Sequence, residues 1–571
     1  LKFTNPTAME VKRAMAIQEL IRPIIEKNNT VKSEELFDFI DVLKTYDEEK
    51  VLIDTDSLQK DQLRFIYSYF GIFGDPLMDE ENDPFPNGLL QKLAQKGVNG
   101  VWMHVVLSQL SPQVEMFPEF GEDSEIRLMN LQKIARRAKK FGIDIYLYMN
   151  EPRAQPLAFF DQRFEMAGVK KDGFATMCTS DDQVRNWMEK SLTHVFTEVP
   201  ELGGVFTITA SENLTNCASH GGKDQCPRCS KRPYEDIIAE VNRTIANGVH
   251  AAKPEAKVIA WDWGWNGHGM AREVIDQLPE DVWLMSVSEW AKPIERGGIS
   301  TTVGEYSISA VGPGPRAKSH WSGAKKNLLK TVAKVQFNNT WELSAIPWIP
   351  VMDLVAEHAA NLENMDIDGV MLSWTLGSYP SPNLEIAKKF SDNPDATEEE
   401  VLNALALERY GRSAVPYVRN AWTTFSTAFK EYPYDIRVVY SAPQQYGPSN
   451  LLFLKPTGYR ATMVGFPYDD LKGWSGPYPP EILISQFEIM AHQWKRGLKF
   501  LEGAIEVTEE EASKKILEED LNLAKAAYLH FQSVGQQGRF IMARDRWLES
   551  QKTDRSEERR VGKECGGSWG C

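Results

Sequence analysis

No stretch of this 571-residue chain approaches the roughly 18 consecutive apolar residues of a membrane-crossing helix, so no transmembrane segment is expected. Basic residues are in short supply. Sixty-four Lys plus Arg against 80 Asp plus Glu leave a formal charge of −16, the wrong sign for a partner gripped through phosphates, and no nucleic acid is expected. The acidity is read as serving solubility. The chain opens at Leu1 without the charged, apolar, small-residue order of a secretory signal, so its start is expected to be cut or processed. Cysteine is scarce, six in all, and two of the six fall in residues 555–571, which read as the conceptual translation of a sequencing adapter and are set aside. That segment holds four basic and three acidic residues, so the rest of the chain carries −17.

What remains is ordinary in bulk. Hydrophobic residues at 42% and charged residues at 25% exclude disordered and fibrous classes, and the length predicts two to four domains or one large one with an attachment. From residue 61 to about 385 short β-branched and aromatic runs alternate with longer helical patterns, the signal of parallel βα units. Eight strands are predicted: 63–70, 100–106, 143–149, 204–209, 257–261, 282–287, 333–337 and 369–374. The count fits a (β/α)8 barrel. An open doubly wound sheet would carry fewer strands and often a glycine-rich phosphate loop after the first, and that loop is absent here.

The predicted organisation is a mostly helical segment at 1–60, a catalytic α/β barrel at 61–385 and a mostly helical C-terminal domain at 386–554. Within the last, Thr397 to Glu400 and Thr508 to Glu511 both match capping boxes, which reads these acidic runs as helix starts. Residues 448–480, rich in Gly, Pro and Tyr, are expected to be ordered loops between helices.

In such a barrel the active site lies at the C-terminal ends of the strands, and the polar residues there are mainly acids and amides. Strand three runs into Asn150 and Glu151, strand four into Glu212, strand five into Asp262, strand six into Glu289 and strand seven into Glu342. Trp261, Trp263, Trp341 and Trp374 accompany them. Sugar C–H faces stack on indoles and carboxylates bind hydroxyls. Glycosidic cleavage needs one acid to protonate the leaving oxygen and a second group to stabilise the oxocarbenium-like carbon. Glu212 and Glu342, on opposite sides of the mouth, are the expected catalytic pair of a retaining enzyme. Asn150, Glu151, Asp262 and Glu289 with the indoles are expected to bind substrate. For any single acid the plainer alternative is an ion pair or a helix cap. Arg316 and His320, delivered by the Gly-Pro-rich turn 312–315, are read either as a grip on an acidic or sulfated sugar or as an ordinary ion pair and the start of the next helix.

The segment Gly204 to Asn213, followed by Cys217 and by Cys226-Pro227-Arg228-Cys229, resembles glycoside hydrolases of families 20 and 163 and uncharacterised bacterial relatives. The resemblance spans about residues 61 to 385. It implies a barrel hydrolase acting on N-acetylhexosaminides with Glu212 as acid/base. Family 20 enzymes place an Asp before that Glu to hold the substrate's acetamido group as nucleophile. Ser211 stands there in this chain, which leaves Asp262 as the acid able to substitute. The segment from Ser373 to Asn383 resembles the eighth-strand Trp that floors the sugar subsite in many barrel glycosidases, implying that role for Trp374.

Cys217, His220, Cys226 and Cys229 have the spacing C-x2-H-x5-C-x2-C within one loop. A closed structural zinc site, plain thiols and a Cys226–Cys229 disulfide are the three readings. No catalytic cofactor is expected. The function implied is a glycosidase releasing a β-linked N-acetylhexosamine or related sugar from a glycan, with carbohydrate as its partner. The alternative is a barrel that binds carbohydrate without cleaving it.

Overall fold

The structure, a computed structural model, describes residues 38–46, 62–71, 74–79, 81–463 and 465–565, apart from the side chains of 38, 39 and 552–565. Of the helical segment expected at 1–60, residues 38–46 are described, with a helix at Asp38–Lys44, and the rest lies outside the described residues.

Eight parallel strands close into one barrel. They are β1 (Leu63–Ile66), β2 (Gly100–His104), β3 (Asp144–Met149), β4 (Gly204–Thr207), β5 (Lys257–Trp261), β6 (Val282–Val287), β7 (Thr331–Lys334) and β8 (Gly369–Met371). Each pairs with its neighbours in sequence, and β8 closes on β1 with Leu63 opposite Gly369. The outer ring is α1 (Asn87–Gln95), α2 (Ser124–Lys139), α3 (Asp182–Glu198), α4 (Tyr234–Ala252), α5 (Arg272–Ile275), α6 (Pro315–Lys326), α7 (Met352–Glu363) and α8 (Pro382–Asp392). This is the (β/α)8 fold that the eight-fold alternation predicts.

Two cores follow from strand alternation. Inward side chains, among them Phe65, Trp102, Tyr146, Phe206, Ile259, Trp261, Met285 and Met371, fill the barrel, while the outward set joins the larger core shared with the helices. The inner core is heavily aromatic towards the mouth. Trp374 stacks on Trp102 at 4.7 Å and meets Trp261 edge-on at 5.0 Å.

The C-terminal region continues through α9 (Glu398–Tyr410), α10 (Val415–Phe429), α11 (Pro480–Val507) and α12 (Glu511–Cys565). Thr397 and Glu400 form the expected capping box at the start of α9. The second expected box is not formed. Thr508 ends α11 instead, its hydroxyl donating to the Ala504 carbonyl at 2.7 Å. Buried Trp494 joins α10, α11 and α12, stacking on Phe425 at 4.5 Å, meeting Phe531 at 5.2 Å and donating to the Ala524 carbonyl at 2.9 Å. Burying an aromatic of that size is worth on the order of 5 kcal/mol. Between α10 and α11 the chain reaches back over the barrel mouth, where Tyr434 donates to the Glu305 carbonyl and Gln445 accepts from the Ser344 amide at 2.6 Å.

Candidate active site

Three long excursions at the C-terminal ends of the strands build the site. After β3 the chain makes a small three-stranded sheet from Gln155–Pro156, Ala167–Lys171 and Phe174–Met177. After β4 comes the loop carrying Glu212 and the cysteines. After β6 a hairpin, Pro293–Arg296 with Ile299–Thr302, precedes a segment that turns back across the mouth. The loops of β4 and β5 approach closely at Gly264, where a Cβ would lie 1.9 Å from the Ala210 carbonyl oxygen, two residues before Glu212. Only glycine permits that approach.

Two adjoining cavities result, of about 570 Å³ and about 270 Å³. Tyr148, Glu212, Asn213, Trp374 and Thr375 belong to the walls of both. Glu212 is exposed and borders each. The smaller cavity is walled by Trp261, Trp263, Trp341 and Trp374, together with Tyr306 and Tyr440, and holds a second acid, Glu305. The larger holds Asn150, His104 and Arg153, with the Arg153 guanidinium 2.7 Å from His104 Nε2. Burial, reinforced by the Arg153 charge, lowers the His104 pKa to about 4, so the imidazole is neutral and accepts from the arginine.

Glu305 is 7% exposed. Its carboxylate accepts from the Trp263 indole N–H at 3.3 Å and lies 3.8 Å from Lys334 Nζ. Burial raises its pKa above the ordinary carboxylate value; Lys334, the Trp263 hydrogen bond and His268 oppose that rise, and the Glu212 charge adds to it. Lys334 at the end of β7 is fully buried, and burial lowers its pKa against the pull of Glu305 and Glu289. Its ammonium lies 4.3 Å from the Tyr306 ring centre. Tyr306 itself holds φ +64°, a left-handed conformation unfavourable for an aromatic residue and typical of functional loops.

The other expected acids lie behind this surface and line neither cavity. Glu342 is buried and accepts from the Ile308 amide at 2.7 Å, the Ser309 amide and the hydroxyls of Ser307, Ser309 and Thr340. It clamps the segment directly after Glu305 and Tyr306. Glu289 accepts weakly from the Ser307 amide at 3.3 Å. Glu151 accepts from the amides of Leu107 at 2.7 Å and Arg153 at 3.0 Å. Burial raises each of these three carboxyls to about 7. Asp262 is held by Arg316 Nη1 at 2.9 Å, His320 Nδ1 at 2.6 Å and Ser286 Oγ at 2.5 Å. Burial alone would raise its pKa, but Arg316 and His320 prevail and hold it below the usual value. Arg316 and His320 are both buried in α6, which starts at Pro315, so His320 sits inside the helix rather than at its start, and Arg316 is taken up by Asp262.

The sequence pattern thus brings Glu212, Asn150, Trp261, Trp263, Trp341 and Trp374 to the mouth. It misses Glu305, Lys334, His104, Arg153 and Tyr440. Glu305 stands beyond a hairpin, far from the end of β6 at Val287, where no strand-end rule reaches it.

Beside the β4 loop, the sulfurs of Cys178, Cys217, Cys226 and Cys229 lie within 4.8 Å of one another, all buried. The fourth member is Cys178, at the end of the inserted sheet, and not His220, which borders a separate surface cavity with Glu212 and Arg153. The thiols are free, which excludes the Cys226–Cys229 disulfide. This buried cluster has the composition of a structural metal site.

No protein-family model matches the sequence, and no curated protein is similar enough to count as a relative. Solved structures are similar in fold. A GH138 enzyme targeting pectin rhamnogalacturonan II aligns over 85% of this chain with a TM-score of 0.50 and 12% identity, and the chain spans 60% of that protein's length. The chitobiase FjGH20 of Flavobacterium johnsoniae aligns over 82% of this chain and 71% of its own, with a TM-score of 0.36 and 14% identity. CpGH84B aligns over 88% and 72%, with a TM-score of 0.38 and 9% identity. The structural neighbours are barrel glycoside hydrolases of families GH138, GH20, GH84 and GH5, and the family 20 resembled by the β4 segment is among them.

Proposed function

We propose that this chain is a glycoside hydrolase that releases a β-linked N-acetylhexosamine or a related sugar from a glycan, using Glu212 as general acid/base and Glu305 as the second carboxylate. The observation that carries this reading is the small cavity itself, where two acids of opposite character share one hollow walled by four indoles. Its volume of about 270 Å³ is close to the lower end of small-molecule sites. Polar atoms that make no hydrogen bond within the protein gather around the mouth: Trp261 Nε1, Trp102 Nε1 and Asn150 Oδ1. A buried polar group left unpaired costs about 1–3 kcal/mol, and a ligand rich in hydroxyls relieves that cost.

The roles follow from the environments. Glu212, open to solvent, gives its proton to the leaving oxygen and, as the resulting carboxylate, takes one back from the incoming water that it activates. Glu305 is fixed by Lys334 and the Trp263 indole, which suits a nucleophile at the anomeric carbon of a retaining mechanism. In that mechanism Glu305 forms a glycosyl ester as the aglycone leaves with the Glu212 proton, and water then cleaves the ester with Glu212 as base. The substrate-assisted route loses its expected support, because Ser211 carries no acid and Asp262 is locked against Arg316 and His320. Glu342, spent on the 307–309 segment, yields the second catalytic role to Glu305 in this reading. No cofactor takes part.

The test is a panel of aryl glycosides that includes β-N-acetylhexosaminides. Release of the aryl group by the wild-type chain and its loss in Glu212→Gln support the proposal. Binding of sugars without release favours the non-catalytic alternative.

A further inference from the structure

We infer that Cys178, Cys217, Cys226 and Cys229 hold one zinc ion in a closed tetrahedral site, and that this ion staples the Glu212 loop to the sheet inserted after β3. Cys178 Sγ lies 3.6 Å from both Cys226 Sγ and Cys229 Sγ. A tetrahedron of thiolates with bonds of about 2.3 Å has edges of about 3.8 Å, close to these two separations, and all four sulfurs lie within 4.8 Å of one another. Two disulfide-bonded sulfurs would be about 2 Å apart. The four thiols come from three segments of the chain and meet in one buried cluster.

The surroundings suit thiolates. Thr176 Oγ1 lies 3.2 Å from Cys217 Sγ and Ser180 Oγ 3.2 Å from Cys229 Sγ, so two of the four sulfurs have a hydroxyl able to donate to them. Arg232 Nη1, ion-paired with Glu240 at 2.7 Å, also donates to that Ser180 hydroxyl at 2.7 Å and so fixes it beside Cys229. Gly168 leaves room for Cys217, since a Cβ there would lie 2.3 Å from its sulfur. An all-sulfur tetrahedral site selects zinc or iron among common metals, and four protein ligands leave no position for a reacting water. The site is therefore structural. Cys217 follows Glu212 by five residues, so an ion there fixes one end of the loop that presents the acid.

Metal analysis of the purified full chain is expected to find one zinc per chain, and titration of the thiols with an organomercurial is expected to release it as the four cysteines react. Cobalt exchanged into the site should show the intense near-ultraviolet charge-transfer and visible bands of a tetrahedral tetrathiolate. His220→Ala should keep both the stoichiometry and the spectrum, whereas Cys178→Ser should lose the tetrathiolate signature. If Cys178→Ser does not fold, the titration of the wild-type chain decides. Removing the ion with a chelator should open residues 211–232 to proteolysis while the helical circular dichroism persists. Absence of bound metal with no uptake of added zinc, iron in its place, or loss of metal in His220→Ala overturns the assignment. An unchanged cleavage pattern after the ion is gone overturns the stapling. None of these readouts depends on glycosidase activity.

Discussion

Lys334 Nζ and Glu305 Oε2 lie 3.8 Å apart, the lysine fully buried at the end of β7 and the acid facing the indole-walled cavity. The lysine's charge favours the ionised form of Glu305 against the desolvation that dominates its pKa. Replacing Lys334 by Met removes that support, so the Glu305 pKa rises further. The acid limb of the kcat/KM profile, which reports ionisation of the nucleophile, should therefore move to higher pH in Lys334→Met. A profile with an unmoved acid limb would separate Lys334 from the chemistry.

In the proposed mechanism Glu342 acts through the backbone that follows Glu305, whose Ile308 and Ser309 amides it accepts from. Glu342→Ala leaves the buried amides of Ile308 and Ser309 without an acceptor, at about 1–3 kcal/mol each. It also frees the segment presenting Glu305, and a misplacement of about 1 Å is enough to lower turnover about 100-fold. Azide distinguishes this positioning role from nucleophilic catalysis. A small anion can attack the anomeric carbon where a nucleophilic carboxylate has been removed, so azide should restore turnover to Glu305→Ala and not to Glu342→Ala. Rescue of Glu342→Ala alone would return the nucleophile to Glu342.

Asp262, Arg316 and His320 are a structural unit in the wall between β5 and α6. Asp262→Ala leaves the Arg316 charge buried and unpaired, which should cost about 3–5 kcal/mol. Thermal unfolding should show the loss as a lowered Tm, while KM for a cleaved glycoside stays close to wild type. A raised KM with unchanged Tm would place the unit in substrate binding.

Three buried acids contribute a distinct share of the pH dependence of stability. Glu151, Glu289 and Glu342 have folded-state values near 7 against an ordinary 4.5, so the folded chain holds protons that the unfolded chain has released between those limits. Their contribution to stability is complete below about pH 4.5 and is lost as pH rises to about 7. A Glu289→Gln variant should lose a share of that slope worth up to about 3 kcal/mol. Tm measured across the range tests this, and an identical slope in the variant would contradict it.

Much of the fold is legible because barrel strands are short apolar runs bounded by turn residues. The bounds of β5 and β6 coincide with the pattern. The pattern fails where aromatics serve the mouth rather than the ladder. The predicted first strand extends to Phe70, yet β1 ends at Ile66 and Tyr67 turns into the larger cavity. The predicted seventh strand starts at Ala333, yet β7 begins at Thr331 and ends on Lys334, a buried charge that an apolar pattern does not anticipate. Glu212 and the indoles were readable as strand-end residues. Glu305 was not, because a hairpin and a left-handed turn bring it back to the mouth through long-range contacts with Lys334 and Tyr434. The fourth cysteine was missed for the same reason: Cys178 joins the cluster through the inserted sheet and not through local spacing.

The most direct test of the shared-cavity account is steady-state and single-turnover cleavage of one active aryl glycoside by wild type, Glu212→Gln and Glu305→Gln. General acid/base catalysis is worth about 100- to 10,000-fold, so each variant should fall by at least the lower figure while ligand binding and Tm persist. Full turnover in either variant would contradict the pairing of Glu212 with Glu305.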